Sequence, residues 1–85
     1  MLKSLKDMGL EMEELKVSER SRLNGVALID SEIRHKMDII IVAIRKKNGE
    51  MAFNPSSQTR IESGDTLISL GNSVDLNKLD KILSA

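Results

Sequence analysis

The chain has no cysteine, tryptophan or tyrosine, a single proline and a single phenylalanine. Without thiols it has neither disulfides nor thiolate metal sites to staple a small core. Phe53 alone cannot provide the stacking platforms that single-stranded nucleic-acid binders use, and it leaves little for sugar binding. Charge of one sign is also missing: 13 Lys and Arg offset 13 Asp and Glu along the chain, so no overall field draws it to nucleic acid or an anionic membrane. No apolar run reaches the roughly 18 residues of a membrane span, and the opening MLKSLKDMGLEMEEL is too polar for a secretory signal. His35 is the only histidine, with no cysteine, serine or second histidine at a recognised partner spacing. It reads as a surface residue in a helix's last turn, and no enzyme is expected.

What is present suffices for one domain. A chain of 85 residues buries only about 60–65% of its extended-chain surface, so further burial is expected from a partner subunit or neighbouring domain. The organising stretch is Ile29–Arg45, IDSEIRHKMDIIIVAIR, which passes from a helical period to a strand run with no proline or glycine between. Val26, Ala27, Ile29 and Ile33 share a helical face, with acidic residues early and Arg34, His35 and Lys36 late, as the helix dipole favours. A helix is predicted from about Leu28 to Lys36. The β-branched run Ile39–Ile44 then reads as the central strand of a small sheet.

The remaining elements fit around it. Leu2, Leu5 and Met8 have helical spacing and Gly9 a C-cap position, so residues 1–9 read as a lead-in helix or linker and residues 10–85 as the domain. Leu10 and Met12, then Leu15 and Val17, alternate with charges but slip in register, which a bulged strand would explain. Glu11, Glu13 and Glu14 read as a solvated face, because no turning glycine or full ligand loop accompanies them. Asn24-Gly25 marks a turn, and Asn48-Gly49 the tip of a hairpin that returns through Met51–Phe53. Asn54-Pro55 breaks the sheet and forms either a rigid pocket-lining loop or a simple turn. After the turn Ile61–Asp65 comes a strand, Thr66–Leu70, released by Gly71. Ser73 then caps a helix whose stripe is Val74, Leu76, Leu79, Ile82 and Leu83. The fold class is α+β: a small antiparallel or mixed sheet covered by helices.

This order of motifs resembles the RCK C-terminal domain, also called the TrkA C-terminal domain, of potassium channels and transporters. The residues carrying the likeness are Leu23-Asn24-Gly25, Glu32-Ile33-Arg34, Ile41–Arg45, Asn54-Pro55, Ile61–Ile68 and Gly71 with the closing helix, within roughly Met12 to Leu83. The resemblance implies a cytoplasmic regulatory domain, associated with a membrane potassium channel or transporter. It further implies a homodimer, a Rossmann-type N-terminal domain as partner, and a possible small nucleotide ligand. No Rossmann glycine fingerprint occurs in the chain. Members that bind cyclic di-adenosine monophosphate do so between two copies, at positions corresponding to Ile33, Arg34, Ile40, Ile41 and Pro55. Catalytic residues, metal ligands and cofactors are not expected. Asp38 stands where the family commonly has glycine, and Ile40 where nucleotide-binding members commonly have asparagine. The lost amide and added negative charge predict that the dinucleotide is not bound with sub-micromolar affinity. Arg34 either forks onto phosphate or pairs with Asp30 or Asp38 on the surface. The alternative reading is a purely structural dimerisation module without a ligand.

Overall fold

A computed structural model describes residues 3–85. Four strands, β1 (Glu11–Lys16), β2 (Ile40–Arg45), β3 (Met51–Phe53) and β4 (Thr66–Gly71), form one sheet in the order β1-β4-β2-β3. Every pairing in it is antiparallel. Two helices, α1 (Ile33–Met37) and α2 (Ser73–Ser84), pack with the sheet around a core of Leu15, Val17, Ile39, Ile44, Leu67 and Leu79, among others. The sequence's α+β reading is this fold, with the sheet antiparallel throughout. β4 inserts between β1 and β2 because its core positions, Leu67 and Ser69, are wholly buried and need a strand on either side.

The bulge lies elsewhere than expected. β1 pairs with β4 residue for residue, from Glu11 opposite Gly71 to Lys16 opposite Thr66. The slip between Met12 and Leu15 is a change of face: Leu15 enters the core, while Met12 is half exposed on the far side. The true irregularity is in β2, where the register with β4 shifts between Ile41 and Ala43 and Val42 is the extra residue. After it, Ala43 and Ile44 are both buried and the strand joins β3.

The helix predicted over Leu28–Lys36 is two pieces. Leu28–Asp30 makes a 3-10 turn, and α1 begins only at Ile33. Ser31, wholly buried, breaks the run: its hydroxyl donates to the Leu28 carbonyl at 2.6 Å and accepts the Ile33 N–H at 3.3 Å. Such local bonding competes with the helical ladder, and Glu32 then turns left-handed at φ +65°.

At the N-terminus only Lys6–Met8 forms a 3-10 turn, closed by left-handed Gly9, rather than a longer lead-in helix. Met1 and Leu2, part of that expectation, lie outside the described residues. At the other end Gly71 stays within β4 instead of releasing the chain. The α2 cap is Asn72, not Ser73; its side-chain oxygen accepts the Asp75 N–H at 2.8 Å. Leu76, Leu79 and Leu83 face the core, whereas Val74 is exposed.

Candidate ligand-binding cleft

Two irregular segments are stitched together beside α1. The Leu28 N–H donates to the Thr59 carbonyl at 2.8 Å, that of Ile29 to Ser57 at 2.9 Å, and that of Ile61 to Val26 at 2.8 Å. These bonds carry the loop after Pro55 onto the 3-10 turn. On the other side Asp38, left-handed at φ +52°, reverses the chain from α1 into β2 and sets Ile40 at the strand's exposed start. Glycine takes that conformation most cheaply, and aspartate is among the few other residues that adopt it singly. The junction without proline or glycine is thus made by Glu32 and Asp38 at positive φ.

The result is a cleft of about 470 Å³, a size that suits a small organic ligand. Ile33, Arg34, Ile40, Ile41 and Pro55, the five positions named from the resemblance, all line it. Leu28, Ile29 and His35, which the sequence did not single out, line it as well, and so do Asn54 and Ser57 of the loop that the sequence offered as either pocket-lining or a simple turn. Only the Asn54-Pro55 step signalled the loop; the stitching that brings in Ser57 is a long-range pairing with no local signature.

The electrostatics differ from the sequence reading in two respects. Arg34 forms no ion pair among the described residues, with Asp30, Asp38 or any other carboxylate, so its guanidinium is uncommitted at the cleft. Asp38 does not line the cleft; the carboxylate that does is Glu32, and it is paired with Lys36 at 3.0 Å. Isoleucine is the commonest lining residue, beside Leu28 and Pro55, and the polar ones are Ser31, Glu32, Arg34, His35, Asn54 and Ser57. An apolar surface with a few polar groups suits a flat heterocycle carrying an anionic group.

The acidic cluster of β1 does not converge. Successive strand residues face opposite ways, and Glu14 reaches across to Arg45. A second polar cluster is structural. Asp65, buried in the turn before β4, accepts from the Glu62 N–H at 3.0 Å and from the Lys46 ammonium at 2.8 Å. Lys46 also donates to Glu62 at 2.9 Å. Partial burial pulls the Lys46 pKa down, but its hydrogen bonds and charge pairing with Asp65 and Glu62 prevail and raise it. The hydrogen bond from Lys46, and then its charge, lower that of Glu62.

No helix among the described residues is long and apolar enough to cross a membrane. Residues 12–84 match the family model of the TrkA-C domain. Among curated proteins, the K(+)/H(+) antiporter subunit KhtT of Bacillus subtilis (strain 168) is 34% identical over 70 residues, covering 82% of this chain and 42% of that protein. The chain spans less than half the length of the curated relatives it matches. Among solved structures, the RCK C domain of the potassium transport protein KtrA, in complex with cyclic diadenosine monophosphate, superposes with a TM-score of 0.76. It is 34% identical, over 89% of this chain and 86% of that one. The RCK_C domain dimer of S. agalactiae BusR, in complex with the same dinucleotide, gives a TM-score of 0.79 at 25% identity, over 89% and 93% of the two chains. BusR in complex with its busA-promotor DNA shares the fold at 24% identity and a TM-score of 0.78, over 99% of this chain and 42% of that one.

Proposed function

The chain belongs to the TrkA-C domain family, and from that premise we propose that it is a regulatory domain of a potassium transport system. In this reading two copies pair and take a cyclic dinucleotide in the cleft between α1, the start of β2 and Pro55. The observation that carries it is the convergence of Ile33, Arg34, Ile40, Ile41 and Pro55 on one cavity, with Arg34 in no ion pair among the described residues. The likeness to the KtrA domain, which holds cyclic diadenosine monophosphate, supports the ligand class. Exposure of Ile29 and Ile40, both on the cleft, supports a second copy that would cover them.

Residues 10–85 are the regulatory unit in this proposal, serving a Rossmann-type partner domain and a membrane channel or transporter from the cytoplasmic side. Regulation follows if the ligand prefers one arrangement of the pair and shifts its population. No catalytic step is assigned. The balanced charge supports keeping nucleic acid out of this domain's own contacts. BusR bound to DNA is similar to this chain in fold alone.

Dimerisation without a ligand is the second reading, favoured by the same exposed isoleucines. Sedimentation and thermal melting with and without cyclic diadenosine monophosphate separate the two. The proposal expects a dimer whose melting temperature rises with ligand by mass action. A dimer unmoved by millimolar ligand supports the structural module, and a monomer at high micromolar concentration contradicts both.

A further inference from the structure

The sheet has one face covered by helices and one left bare. Residues directly opposite each other in an antiparallel pairing share a face, so rows can be followed across the strands. Leu15, Leu67, Ile44 and Ala52 make the row on the helix side. The rows flanking it point the other way: Glu14, Ile68, Ala43 and Phe53 on one flank, and Lys16, Thr66, Arg45 and Met51 on the other. Met12, Leu70 and Ile40 complete that bare face at the start of β2. An antiparallel sheet that turns one side to water normally alternates polar residues onto it. Here Phe53, the chain's only aromatic, is 77% exposed, Ile40 58%, Met51 53% and Met12 48%. The face has little field of its own, because Glu14 pairs across β4 with Arg45 and only Lys16 is left in no ion pair among the described residues.

Pairing of two copies needs more surface than the cleft gives. A stable interface buries about 800 Å² on each partner. Even an aromatic side chain buries only about 150–250 Å², and Ile29 and Ile40 are smaller and little more than half exposed, so together they supply less than half of that area. The bare face supplies the remainder through Met12, Met51 and Phe53. It is continuous with the cleft, because Ile40 belongs to both.

We propose that the bare face of the sheet is the pairing surface, seated on the same face of a second copy, with Phe53 as its anchor. The two sheets then stack about 10 Å apart, and the cleft lies at the rim of the interface. A twofold pair presents one patch to itself, and a nearly neutral face sets no like charges against each other. Ile40 joins the two surfaces, so whatever fills the cleft also touches the edge of the pair. The inference rests on the reading that two copies pair, and it holds whatever the ligand.

The test is sedimentation equilibrium of the unaltered chain and of Phe53→Glu, Met12→Glu and Val74→Glu. All three positions are exposed, Val74 lying on α2 away from this face, so each variant should fold, and thermal melting verifies it. Phe53→Glu and Met12→Glu should each raise the dimer dissociation constant by about tenfold or more, while Val74→Glu leaves it within about twofold. A variant at Phe53 or Met12 that pairs like the unaltered chain gives this face to another partner and overturns the inference while pairing itself stands. Equal weakening by Val74→Glu overturns it too, as an effect of added charge alone. A monomeric unaltered chain at high micromolar concentration overturns the pairing reading as well.

Discussion

Ile44 on β2 stands directly opposite Leu67 on β4, and neither side chain is exposed to solvent. On the other side of Leu67 its partner is Leu15 of β1, so three strands meet the helices along one row. Replacing Ile44 by alanine removes the β2 member of that row and leaves a cavity beside Leu67. The expected cost is about 2–5 kcal/mol, read as a lower urea midpoint at unchanged slope. A loss below about 1 kcal/mol would place the core elsewhere.

That row was legible because β-branched residues from Ile39 to Ile44 dominate a short run and leave few alternatives. The hairpin was legible for a different reason: Gly49 occupies a turn position at φ +93°, which the Asn-Gly pair announces. Hidden from sequence were features set by long-range pairing. Which face Met12 takes depends on register with β4, and the break at Ser31 depends on burial of a hydroxyl that looks ordinary in a helix. Likewise, the cleft could be named through Arg34 and Pro55, but Ser57 and Ile29 reach it only through a backbone bond between distant segments.

Asp38 gives a second prediction. It ends α1 at φ +52°, where any side chain is strained and glycine is not. Asp38→Gly should therefore stabilise the domain by about 0.5–1 kcal/mol, a rise of several degrees in melting temperature for a chain of this size. The contrasting substitution is Gly64→Ala. There φ is +88° and an added Cβ would meet Lys47 Cε at 2.9 Å, so a loss is expected. Equal effects of the two would mean that backbone strain is not what distinguishes these positions.

The buried carboxylate of Asp65 gives a third. Asp65→Ala strands the Glu62 N–H and one bond of Lys46, and should cost about 2–3 kcal/mol. Lys46 is partly exposed and can rehydrate, which keeps the figure below that of a fully buried pair.

The same cluster sets a pH window. Glu62 has a lowered pKa in the fold, so its contribution is present above the ordinary value of 4.5 and lost as pH falls through the folded value. Lys46 has a raised one, so its contribution is complete below 10.5 and lost as pH rises through the folded value. Their contribution is therefore flat across neutral pH and declines at both extremes. Lys46→Met should flatten the alkaline decline, and urea midpoints measured across pH show whether it does.

Calorimetric titration of the chain with cyclic diadenosine monophosphate tests the central claim most directly, because stoichiometry reports the paired cleft and affinity reports its chemistry. The expected result is one ligand per two chains, bound more weakly than about 1 μM, roughly −8 kcal/mol, because Ile40 offers no amide and Glu32 puts a carboxylate at the site. Arg34→Ala should abolish it. Tighter binding that still depends on Arg34 would keep the site but refute the weight given to Ile40 and Glu32. No heat at millimolar ligand, or binding indifferent to Arg34→Ala, would contradict the account.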